Sequence, residues 1–86
     1  MASSSLATRV AGRLDAIEAN LDAVAVLHGE LGILLGAARE TPAWRYGRRR
    51  RMLREARRLR AVTQDLLAGN DVLMTANAVD IAGRQR

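Results

Sequence analysis

Nine of the 16 residues from Arg45 to Arg60 are arginine, and Glu55 is the only acid among them. Guanidinium groups at this density suit one kind of chemistry. Each keeps its charge at any physiological pH and offers a planar fork of donors to carboxylate or phosphate oxygens. Arg45, Arg48, Arg49, Arg50, Arg51, Arg54, Arg57, Arg58 and Arg60 are therefore the candidate binding residues for an anionic partner. Such a face would meet several phosphates of DNA or RNA at once, with salt-sensitive affinity that depends little on base sequence. An acidic protein surface offers the same complement, which makes an assembly or adaptor protein the competing expectation. An anionic membrane surface comes third, because the opposite side of the segment is better explained as core.

Groups for catalysis are sparse. The chain has no cysteine and one histidine, too few soft ligands for a structural zinc site. It contains no HExxH, P-loop or GxGxxG pattern and no pair of carboxylates spaced beside a base. No enzyme activity, metal or cofactor is expected.

Charge is divided along the chain. Residues 1–38 carry two arginines against four acids, a net of −2. Residues 39–86 carry twelve arginines against five acids, a net of +7. The run Ala23–Ala38 is the most apolar, but it contains His28 and Glu30 and falls short of the roughly 20 residues of a bilayer span. With no apolar leader at the start, a cytoplasmic location is the expectation.

The elements that must position the arginines are helices. From Leu6 onward, Val10, Ile17, Val24 and Leu31 recur every seven residues, as do Leu14, Leu21, His28 and Leu35. Merged, the two sets alternate by four and three, the spacing of a coiled-coil or bundle seam. His28 is the polar member and is expected to fix register across an interface. Gly29, Gly32 and Gly36 cost about 1 kcal/mol each inside a helix relative to alanine, which would be explained by close helix approach or a bend. Ser3, Ser4 and Ser5 are the candidate N-caps.

Thr41-Pro42 is the one strong breaker, expected as N-cap and first residue of a second helix. Met52, Leu59, Leu66 and Leu73 thread that helix at sevens. At 100° per residue, Arg50, Arg51, Arg54, Arg57 and Arg58 project away from this stripe, with the other four arginines at its borders. Trp44 and Tyr46 are expected to plug the end of the bundle over Leu34 and Leu35, with base stacking as the functional alternative. Asn70 and Asn77 are expected to pair or to contact the first helix. Asp65, Asp71 and Asp80 are expected to face solvent.

The whole is one all-α domain, residues 1–86. Helix 1 covers about 5–37, the turn 38–41 and helix 2 about 42–82, followed by a short tail. A connection this short implies an antiparallel helical hairpin, expected to form a homo-oligomer such as a four-helix bundle or coiled-coil-like assembly. With its turn near residue 40, such a hairpin would bring Asp22 near Arg58 and Glu30 near Arg50.

Overall fold

The computed structural model describes residues 5–84, which form an antiparallel pair of long helices. Helix α1 spans Leu6–Glu40, a single 3-10 turn follows at Ala43–Arg45, and helix α2 spans Tyr46–Arg84. Ser3, Ser4, Gln85 and Arg86 lie outside the described residues.

The ends of α1 are built by short polar side chains. Ser5 is its N-cap, with an extended backbone and a hydroxyl that accepts the Thr8 N–H at 3.1 Å. Thr41 closes the helix instead of opening the next one. Its N–H reaches the Ala38 carbonyl and its hydroxyl donates to the Ala37 carbonyl at 2.7 Å. Two of the four carbonyls that a helix end leaves unpaired are thereby satisfied. Pro42 then caps the 3-10 turn, whose Arg45 N–H binds the Pro42 carbonyl at 2.9 Å. The first helix thus ends three residues later than its sequence suggested and runs straight through Gly36. No described glycine has positive φ, and a Cβ at Gly29, Gly32 or Gly36 would meet nothing within 4 Å. Close helix approach therefore does not account for these glycines within the hairpin.

Register is set by polar side chains. The Asn20 amide donates to the Asn70 side-chain oxygen at 2.8 Å, and Arg13 donates to that of Asn77 at 3.2 Å. Asn70 and Asn77 also turn their own amides toward the Ile17 and Val10 carbonyls of α1. Both pairs centre the hairpin on residue 45, so Asp22 is level with Ala68 and Glu30 with Arg60. The cross-helix pairs expected from a turn near 40 do not form. Arg58 instead pairs with Glu55 on its own helix.

Along α2 the inward residues recur by fours and threes: Met52, Ala56, Leu59, Thr63, Leu66, Asn70, Leu73, Asn77, Asp80. Along α1 they are Leu6, Val10, Arg13, Ile17, Asn20, Val24, Leu27, Leu31, Leu34 and Ala38. Only one of the two heptad sets of α1 therefore lies in the seam. Leu14 and Leu21 stand 54% and 49% exposed and His28 is exposed, while Leu35 is half-buried. Their place is taken by the set that contains Arg13 and Asn20, because these match the polar residues that α2 turns inward. Asp80 is not a solvent-facing charge either: it lies one heptad beyond Leu73, within 2.5 Å of Arg13 and 3.7 Å of Arg9.

The hairpin is a rod of 65 × 17 × 16 Å with a radius of gyration of 19.4 Å, against about 12 Å for a compact chain of this length. Its buried apolar residues are Ala38, Ala56 and Leu59, and the buried polar ones are Asn70 and Asn77. Two helices side by side enclose a line, not a volume.

Candidate anion-binding face

All nine arginines between residues 45 and 60 are exposed. The apolar seam residues Met52, Ala56 and Leu59 turn toward α1, and the helical period then fixes the rest. Arg51, Arg54 and Arg58, spaced by three and four, run down the side of α2 away from α1. Arg50 and Arg57 flank them on one side. Among the described residues, Arg58 is the one member of the nine with an ion pair, its Nη2 2.5 Å and its Nε 3.0 Å from the Glu55 carboxylate. That bidentate contact holds the Glu55 carboxyl below its usual range and raises Arg58. Both groups lie on the surface, where such pairs contribute little to stability.

Trp44 and Tyr46 do not plug the end of the hairpin. They stand 77% and 65% exposed. The 3-10 turn before α2 swings them outward, and the guanidinium carbons of Arg45 and Arg50 lie 4.8 and 6.0 Å from the Trp44 and Tyr46 ring centroids. An aromatic face beside a cation is a stacking platform with its charge already in place. The space over Leu35 is instead a groove of about 300 Å³ lined by Leu31, Leu35, Leu53, Ala56, Arg57 and Arg60. It continues along α2 into a second groove of about 320 Å³ between Tyr46, Arg49, Arg50, Leu53 and Arg57. Arg45 and Arg48 lie on the other side of the hairpin, around a hollow beside Glu40, Thr41 and Pro42.

The arginines are thus divided by the fold. Arg51, Arg54 and Arg58 form an open ridge, whereas Arg57 and Arg60 border an apolar groove. Arginine density alone did not signal that division, but the seven-residue spacing of Tyr46, Leu53, Arg60, Leu67, Met74 and Ile81 does carry it. Among the described residues, no cluster of three or more histidines or carboxylates could hold a metal ion. Helix α1 contains a stretch long and apolar enough to cross a membrane, and that stretch is mostly exposed in the hairpin. Compared with protein-family models, curated proteins and solved structures, the chain matches none.

Proposed function

We propose that this chain is a non-enzymatic, self-associating helical protein of the cytoplasm that binds the phosphate backbone of nucleic acid through the arginine ridge of α2. The observation that carries this reading is the exposure of nine arginines, Arg45 in the 3-10 turn and eight on α2, one of them internally paired. A structural role would neutralise them within the fold, whereas among the described residues Glu55 alone forms an ion pair with one of them. Asp80 holds Arg13 and Arg9 at the far end of the hairpin. Trp44 and Tyr46, exposed beside Arg45 and Arg50, add surfaces on which unpaired bases can stack.

The basic-rimmed groove over Leu53 supports a second reading, an adaptor whose arginines dock on an acidic protein segment with an apolar stripe. Titration of the full chain with single- and double-stranded nucleic acid across a salt series separates the two. Phosphate binding through about five arginines weakens affinity by roughly 10²–10³ between 50 and 200 mM salt. No binding to either form at 50 mM salt overturns the nucleic-acid reading.

A further inference from the structure

The hairpin leaves one long side uncovered, and the residues on it are ordered. Leu35 and Leu53 line one groove and so share that side. Stepping back by sevens along α1 and forward by sevens along α2 brings His28 beside Arg60, Leu21 beside Leu67, and Leu14 beside Met74, each pair within two residues of level in the register set by Asn20–Asn70. Two heptad stripes, one from each helix, therefore run side by side over most of the rod. Leu14, Leu21, Leu53, Leu67 and Met74 on them are 36–54% exposed. The isolated hairpin exposes 6425 Å² in total, against about 5,000 Å² for a folded monomer of its mass. An excess of about 1,400 Å² is of the order that each chain of an obligate dimer buries.

We infer that this side is covered by a second copy of the chain, laid antiparallel so that the turn of each hairpin lies over the open end of the other. Charge selects both the occupant and its direction. Next to the apolar stripe on α2, the flanking residues are Arg50, Arg57, Gln64, Asp71 and Ala78. This series is self-complementary about Gln64: Arg57 stands seven residues before it and Asp71 seven after. A two-fold axis at Gln64 sets Arg57 of each copy against Asp71 of the other. The same axis places Leu53 against Met74 and Leu14 against Leu35, while His28 and Arg60 meet Leu21 and Leu67. The opposite arrangement, with both turns at one end, has its axis along the rod and lays α2 over α1 of the partner; it gathers the arginine-rich segments of both copies at one level and takes Asp71 away from Arg57.

This assembly rests on the self-association in the function proposed above and does not depend on the anionic partner. It also divides the arginines by role. Arg57 is committed to the dimer, whereas Arg51, Arg54 and Arg58 stay outside. At 1.5 Å per residue the two copies of Arg54 stand about 30 Å apart along the bundle, close to the spacing of successive turns of a duplex.

The test is sedimentation equilibrium of the full chain without nucleic acid, for the natural sequence, R57D, D71R and the double exchange R57D/D71R. The natural chain is expected to be a dimer. Each single exchange should weaken the dimer tenfold or more, and the double exchange should restore it, with helix content by circular dichroism followed throughout. Q64C gives a second readout, because it would be the only thiol in the chain. Neighbouring helices pack about 8–10 Å apart, so a short bis-maleimide should link the two copies at residue 64. A monomer at all concentrations, partition of the monomer onto anionic vesicles in place of dimerisation, single exchanges without effect, a double exchange without rescue, or absence of the Q64C cross-link would each overturn the antiparallel dimer. A dimer that passes these tests yet binds no nucleic acid leaves the interface standing and removes the binding function.

Discussion

The two ends of the hairpin are built on opposite plans. Near the turn, the seam is apolar, with Leu31, Leu34, Met52, Ala56 and Leu59 inside and arginine outside. Near the open end polar side chains enter the seam, with Arg13, Asn20, Asn70, Asn77 and Asp80 alternating with Val10, Ile17, Leu66 and Leu73. Its outer surface carries Asp15, Glu18, Asp22, Asp65 and Asp71 together with uncovered leucines. The difference reflects two tasks. A uniform apolar seam tolerates slippage by one heptad, whereas a polar pair that slips leaves buried amides unsatisfied. Every buried side-chain nitrogen and oxygen among the described residues has a hydrogen-bond partner. The open end thus fixes register, and the turn end presents charge.

Erasing the turn end's charge gives the largest expected effect. R51E/R54E/R58E removes three cations from the ridge and adds three anions. It should lower nucleic-acid affinity by more than about 100-fold at 100 mM salt, given the steep dependence on phosphate contacts, and should flatten the salt slope. Fluorescence anisotropy with a labelled oligonucleotide reads both. R9E, at the open end, should change affinity far less. If the two variants behave alike, the ends do not differ in function.

Breaking the register device comes next. Asn70 is 3% exposed and holds Asn20 from across the seam. N70A leaves the Asn20 amide without its partner and opens a small void, at a cost of about 2 kcal/mol. A shift of the urea midpoint without a change in slope would show that the loss is confined to the folded state. The contrasting substitution in the middle of α2, T63A, removes a hydroxyl that donates to the Leu59 carbonyl of its own helix at 2.9 Å. It should shift the midpoint by less than about 0.5 kcal/mol, because mid-helix back-bonding of this kind adds little to helix stability.

The contrast between the ends was only half legible in the sequence. Helix number, antiparallel sense and the inward face of α2 followed from Thr41-Pro42 and from Met52, Leu59, Leu66 and Leu73, since spacing is a one-dimensional property. The inward face of α1 was not decided by spacing. Two heptad sets competed there, and hydrophobicity favoured Leu14 and Leu21 over Arg13 and Asn20. The polar set lies inside because α2 presents Asn70, Asn77 and Asp80 to it, and a single helix read alone does not contain its neighbour's pattern. The outward swing of Trp44 and Tyr46 was hidden for a related reason. It depends on Thr41 ending α1 instead of starting α2, a choice made by two hydrogen bonds, one from its backbone N–H and one from its hydroxyl.

Acid separates the two ends in another way. The Arg13 side chain, through its hydrogen bond to Asp80 and then its charge, with Arg9 adding to it, holds the Asp80 carboxyl below its ordinary value against a smaller opposing effect of burial. A carboxyl whose folded pKa is depressed contributes stability above its unfolded value of about 3.9, and that contribution is lost as pH falls through the folded value. Thermal melts of the natural chain should therefore fall more steeply below about pH 4 than those of D80N, while the two run parallel at higher pH. Glu55 is shifted in the same direction but sits on the surface of α2, so E55Q should flatten the acid limb less than D80N. An acid limb equally steep in natural chain and D80N would remove Asp80 from the register device.

The smallest expected effect concerns the back of the rod. Gly29 lies on the exposed side of α1, with nothing within 4 Å of a Cβ placed there. Alanine at an open mid-helix position gains about 0.5–1 kcal/mol by reducing the freedom of the unfolded chain, so G29A should raise the melting temperature by a few degrees. Gly32 is equally open in the hairpin, yet it borders the leucine side on which the second copy would lie. G32A should therefore gain less than G29A in the assembled protein, because a methyl group there would meet a neighbouring helix. Equal gains at both positions would mean that nothing packs beside Gly32, and the uncovered leucines would have to be buried by a smaller contact.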